Sequence, residues 1–192
     1  MSKHGGLLCG AALMVFLLVV GQSVWAMSPR YTLLGRAQIV QVEAPNLLTV
    51  KMQGKDRLVN IRLLGVGSPR NRDRIKGLEP QLVTFILKKD LWEEARSYVR
   101  SLLEGKVVEV WARKLDRMDD KHRLLAYIVI PASSSVPVDV NANIIKKGLG
   151  FVTRDYVHVT FADYKQLEQD ARKNRRGIWR GLTMDRVSSL RE

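Results

Sequence analysis

Residues 119–130 read DDKHRLLAYIVI, and residues 59–70 read VNIRLLGVGSPR. In each stretch an arginine (Arg123 or Arg62) heads or interrupts a run of apolar and β-branched residues. Such runs of four to eight residues, bounded by polar or glycine-rich turns, predict β-strands. An arginine is costly to place inside a sheet without a partner.

Working outward, residues 31–43 (YTLLGRAQIVQVE) read as a first strand, and Ala44-Pro45-Asn46 as its turn. Leu47 to Gln53 read as a second strand, Gly54-Lys55 as a hairpin turn, and Arg57 to Val66 as a third strand. Residues 67–90 are less regular. They hold Pro69, a basic cluster (Arg70, Arg72, Arg74, Lys76), Gly77, Pro80 and an apolar piece, LVTFIL, that fits either a short strand or a helical turn. Asp90 and Glu93 have the spacing of a capping box and predict a helix that stops at Gly105. Lys106 to Ala112 and Arg123 to Ile130 predict the fourth and fifth strands. Asp139 or Asn141 starts a helix ending at Gly148, and a last helix runs from Thr160 or Ala162 to Asn174. Five short strands with a helix after the third fit a small Greek-key barrel, the OB-fold. The expected class is α+β, mainly β, with about three helices.

The chain has 192 residues. Its first 26 have the pattern of a secretory signal: Lys3, an apolar core from Leu7 to Val20, and Ser23-Val24-Trp25-Ala26 before the expected cleavage. An uncleaved anchor is the alternative, and the only one that implies a membrane partner. Cys9 lies in this segment without a leucine three residues before it, which argues against a lipoprotein site. The remainder has no cysteine, so no disulfide partner, thiol nucleophile or thiolate metal site is available. It is long enough for one domain, expected over 31–180, followed by a polar tail at 181–192. Beyond the leader, 31 basic and 19 acidic residues leave a charge of +12. That excess favours polyanionic partners such as nucleic acid, anionic lipid or acidic polymers.

Taken together, these segments resemble the staphylococcal nuclease (thermonuclease) family over about residues 35–180. The resemblance rests on TVKM at 49–52, IRLLGVGSP at 61–69, EEAR at 93–96, and Asp119 four residues before Arg123 and LLAYI. It continues through Asn141, Gly148-Leu149, Ala171-Arg172 and Gly177-Ile178-Trp179. It implies the OB-fold barrel and a calcium-dependent nuclease site of two arginines and three carboxylates. The arginines are matched by Arg62 and Arg123. The positions of the carboxylates read Leu48, Gly67 and Arg70, and the turn EAPNLLT before Thr49 is longer by two residues. Calcium needs several oxygen ligands; leucine and glycine side chains supply none, and Arg70 reverses the charge of the water-activating glutamate.

The expectation is therefore an exported, periplasmic or secreted domain whose catalytic carboxylates are absent, with no cofactor. It would bind nucleic acid, another polyanion or a protein partner. Arg62, Arg70 and Arg123, with Arg154 and Tyr156 at the family's nucleotide-side tyrosine positions, would form the anion contacts. Arg62 and Arg123 have an equally good structural reading, paired with Asp119 or backbone carbonyls. The alternative is an active phosphodiesterase with a displaced calcium site drawn from Glu43, Asp73 and Glu79. An envelope interaction module is the third reading. Trp111 and Trp179 are expected in packing roles. His122 replaces a turn glycine of the family, which suggests a different hairpin. His158 has no acidic neighbour at ligand spacing.

Overall fold

A computed structural model describes residues 29–69, 78–132 and 136–182. The expected leader (1–26), Arg70, Asp73 and tail residues 183–192 lie outside the described residues. β1 (Tyr31–Ala44) is long enough to serve two partners. Its first half pairs with β5 (Val107–Arg113) and its second half with β2 (Leu47–Met52), both antiparallel. The register shifts between Leu33 and Gly35, where Gly35 has φ 130, a conformation that glycine adopts readily. β2 pairs with β3 (Leu58–Leu63), and β5 with β6 (Leu124–Ile130). One parallel pairing, β3 with β6, closes these five strands into a barrel: Ile61 faces Leu124, Arg62 faces Leu125 and Leu63 faces Ala126. Closure removes the free edges.

Alternation fills the barrel. In β5, Val108, Val110 and Ala112 point inward and are fully buried, whereas Val107, Glu109 and Trp111 lie outward. α2 (Leu91–Leu103) presents Ala95, Val99 and Leu103 to the same core, with Leu102 partly buried against it. α3 (Val140–Lys146) starts after β7 (Val138–Asp139), and the Asp139 carboxylate accepts from the Ala142 N–H at 3.0 Å, an N-cap. α4 (Phe161–Lys173) leads to a 3-10 turn at Gly177–Gly181.

Two local expectations need correction, and one alternative is decided. The LVTFIL piece takes the helical alternative and forms most of α1 (Pro80–Lys88), one of four α-helices among the described residues. Asp90 makes no capping bond. It lies in the two-residue reversal between α1 and α2 with φ 47, so its side chain does not reach the α2 amides, and Glu93 pairs with Arg96 instead. The third strand stops at Leu63, because Gly65 (φ 74) turns the chain before β4 (Val66–Gly67) pairs with β8 (Phe151–Val152). α1, α4 and the 3-10 turn enclose a second cluster around Leu82, Ile86, Phe151, Ala171 and Trp179. Leu182 is buried there, two residues past the expected domain boundary.

Candidate functional site

The barrel closure brings the two arginines together. Arg62 lies in β3 beside Leu125, two residues after Arg123. A buried carboxylate, Asp119, stands between them. Arg123 holds Asp119 Oδ2 through Nε at 2.7 Å and Nη2 at 2.6 Å, and Arg62 Nη1 lies 3.9 Å from the same oxygen. Asp119 Oδ1 accepts from the backbone N–H groups of Lys121 and Arg123, both at 2.9 Å. Thus one carboxylate both folds the 119–123 hairpin and aligns the guanidinium groups. Burial by itself would push the Asp119 pKa up. The Arg123 side-chain bond and the backbone N–H bonds outweigh burial and hold it below the ordinary carboxylate value.

A second connection comes from the loop after β8. The Thr153 N–H donates to the Gly65 carbonyl at 3.1 Å, which sets the loop against the end of β3. Asp155 then reaches Arg62 Nη2 at 2.5 Å, and the Tyr156 ring lies 5.1 Å from the Arg62 guanidinium carbon. The Tyr156 hydroxyl donates to Asp120 at 3.2 Å. Burial, and then this bond to Asp120, raise the Tyr156 pKa, so the phenol stays protonated at neutral pH. The Arg62 side chain is only 3% exposed, against 18% for Arg123 and 35% for Asp155. Arg154 is exposed and stands over the Phe161 ring at 4.6 Å. The sequence reading had named Asp119 as a pairing partner but missed Asp155 and Asp120. The only local signal for Asp155 was its position between Arg154 and Tyr156.

His158 holds this loop. Nδ1 lies 3.0 Å from the Thr160 hydroxyl, which in turn meets the Tyr127 hydroxyl at 3.1 Å. Nε2 lies 3.3 Å from the Thr153 carbonyl. A neutral imidazole protonated on Nε2 satisfies both contacts. Burial keeps it neutral by lowering its pKa. The ring covers Gly65, where a Cβ would come within 2.6 Å of it.

The positions expected to hold metal are filled differently. Leu48 faces Ile61 across β2 and β3 and is 1% exposed, a core residue. At Gly67 a Cβ would lie 2.4 Å from the Phe151 ring, which occupies the space a side chain there would need. Glu43, on β1, is bonded to the Thr49 hydroxyl, which also meets Asn60 at 3.1 Å. Glu79 precedes α1 and pairs with Arg172 of α4 at 3.1 Å. Among the described residues, no group of three or more His, Cys, Asp or Glu side chains has metal-site geometry. The donor set does not fit calcium at the family's position, since two of its three carboxylates are a core leucine and a covered glycine. Trp179 is fully buried beneath the Arg172 guanidinium at 4.1 Å, and Trp111 is half-buried with Nε1 3.4 Å from Glu109. His122 takes φ 55, the left-handed conformation a glycine would favour.

A family model described as "Staphylococcal nuclease homologue" matches residues 60–181. Among curated proteins, the chain is similar to a probable endonuclease, LCL3, of Schizophyllum commune. The two are 26% identical over 140 residues, covering 68% of this chain and 44% of the relative. The chain thus spans less than half the length of that protein.

Proposed function

The chain belongs to the staphylococcal nuclease homologue family, and on that premise we propose that it binds single-stranded nucleic acid or a similar polyanion without cutting it. The observation that carries this reading is the pair of lost metal positions, Leu48 in the core and Gly67 beneath Phe151. Metal-assisted phosphodiester cleavage needs a cation to polarise the phosphoryl oxygen and bind water. With those ligands replaced, Arg62 and Arg123 keep the capacity to hold a phosphate but not to activate water against it. In the free protein their outer nitrogens are held by Asp119 and Asp155. Asp155 is the more exposed of the two, and an arriving phosphate would take its place on Arg62. Tyr156, packed on Arg62, offers a ring face beside that position. Arg154 is exposed on the same loop, and Arg70 is the further cation proposed for the cleft. The leader-like pattern of residues 1–26 supports a role outside the cytoplasm.

A second reading, an active nuclease with a displaced calcium site, is favoured by the similarity to a probable endonuclease. A cleavage assay separates the two. Purified protein is incubated with single-stranded DNA and RNA, with calcium or with chelator, and Arg123→Ala controls for contaminating nuclease. The expected result is no cutting in either condition and salt-sensitive binding. Calcium-dependent cutting abolished by Arg123→Ala would overturn the proposal and direct attention to Glu43, Asp73 and Glu79.

A further inference from the structure

A second concentration of positive charge lies where α3 and α4 end. The two C-termini meet: Arg176 Nη1 donates to the Lys146 carbonyl at 3.3 Å, and the Ile178 N–H donates to the Gly148 carbonyl at 2.8 Å. Two glycines permit this contact. A Cβ on Gly148 would lie 2.2 Å from the Arg176 oxygen, and one on Gly177 would lie 2.1 Å from the Gly148 oxygen. Backbone cannot move aside as a side chain does, so the junction is rigid.

Six cations surround the junction: Lys146, Lys147, Lys173, Arg175, Arg176 and Arg180. Asp170 pairs with Arg176 and Glu94 with Arg180, which leaves an excess of four positive charges. Cations at helix C-termini offset the carbonyl charge there, about half an elementary charge per helix. Two helix ends account for roughly one unit. Lys147 lies over the Tyr98 ring at 5.7 Å, and Arg175 and Arg180 donate to the carbonyls of Arg180 and Gly177, uncharged partners that leave the positive excess in place. Arg175 supplies a separate observation. It has φ 51 just after α4, where glycine is the ordinary residue, and it keeps a long cationic side chain at a cost in backbone energy. Lys146, Lys147, Lys173, Arg175 and Arg180 are all exposed.

We propose that this face is a second nucleic-acid contact, built from residues other than those of the Arg62–Arg123 cleft, which grips the phosphate backbone without reading sequence. It rests on the reading that the domain binds nucleic acid. Phosphate contacts of this type show themselves as salt dependence, because each displaces condensed counterions.

The test is a salt titration of full-length protein binding to labelled oligothymidylate, followed by fluorescence anisotropy. The patch variant is Lys146→Ala, Lys173→Ala and Arg175→Gly combined. Its glycine relieves the left-handed strain, and a thermal melt verifies its fold. The control combines Lys55→Ala, Lys106→Ala and Lys114→Ala, all exposed, and so removes the same charge elsewhere. The patch variant is expected to lower the slope of log K against log salt by about 2, since each single-strand phosphate contact contributes about 0.7. The control should leave the slope nearly unchanged. Equal effects of the two variants would overturn the patch. So would a patch variant that binds like wild type while Arg123→Gln abolishes binding, and the cleft reading would then stand. Wild-type protein that binds no oligonucleotide at low salt would overturn both readings. Binding to phosphatidylglycerol vesicles instead, lost in the patch variant, would reassign this face to a lipid surface.

Discussion

Single residues decide what the cleft can do. Gly67 is the sharpest case, because the Phe151 ring lies where its side chain would grow. On the proposed reading, an acid placed there should not create a metal site, because the ring fills the space. Gly67→Asp should destabilise the fold by about 2–3 kcal/mol, as expected for overpacking combined with burial of a polar group. Calcium should leave its melting temperature unchanged. A calcium-dependent rise would show that the ring swings aside and the site reopens. His122 is strained in the opposite sense. It holds φ 55 at the tip of the Asp119 hairpin, a conformation that costs a non-glycine residue about 1–2 kcal/mol. His122→Gly relieves this and loses part of the gain to a freer unfolded chain. A net stabilisation of about 0.5–1 kcal/mol is expected in urea denaturation. A loss of stability would mean that the imidazole makes contacts worth more than the strain. The sequence marked both positions as departures from the family. It carried no sign of which way either would fall, since that depends on what faces them.

Among the elements, α3 depends on one side chain. Asn141 is fully buried, accepts from the Ile128 N–H at 3.1 Å, and donates to the carbonyls of Leu64 at 3.0 Å and Ala126 at 3.2 Å. It stitches the helix to β6 and to the turn after β3, the region that carries Arg62. Asn141→Ala would remove the side-chain partner of the Ile128 N–H and the Leu64 carbonyl, whereas the Ala126 carbonyl keeps the Leu64 N–H at 3.0 Å, so a cost of about 2 kcal/mol or more is expected. Denaturation of the variant should show it, and a change below about 1 kcal/mol would mean that water or a shifted backbone replaces the amide. Element boundaries were legible where periodicity was long, as in α2, whose stripe of Ala95, Val99, Leu102 and Leu103 faces the core, with Leu102 only partly buried. They were not legible in LVTFIL, because a short apolar run has no period that separates strand from helix. The Asp90–Glu93 spacing misled for a related reason. A capping box needs extended backbone at its first residue, and the reversal between α1 and α2 puts Asp90 at φ 47.

At the scale of the molecule, two buried groups couple stability to pH. His158 titrates below its ordinary 6.5, and Asp119 below its ordinary 3.8. In both cases the unfolded chain takes up a proton more readily than the folded one, so acid favours unfolding. From these two groups, stability should be level between about pH 6.5 and about pH 9, fall first through His158 on acidification, and fall again below about pH 3.8 through Asp119. Urea midpoints across this range would reveal two steps, and His158→Gln should remove the upper one. An upper step that survives in the variant would assign it to another group. The consequence reaches the cleft, because His158 holds the loop that brings Asp155 and Tyr156 to Arg62.

The sequence by itself determined the barrel and the family, because strand alternation, turn residues and motif spacing are local properties. It also determined the charge excess and the absence of cysteine beyond Cys9. Tertiary structure alone decided where the charges meet. Arg62 and Asp155 are separated by 93 positions, and a parallel strand pairing and a two-residue β-bridge bring them to 2.5 Å. It also decided that Arg62 is buried and paired, that Phe151 fills the space beside Gly67, and that two glycines bring the ends of α3 and α4 together. Each of these is a contact between distant segments. Its energy depends on which backbones approach one another and how closely, and no pattern along the chain encodes that distance.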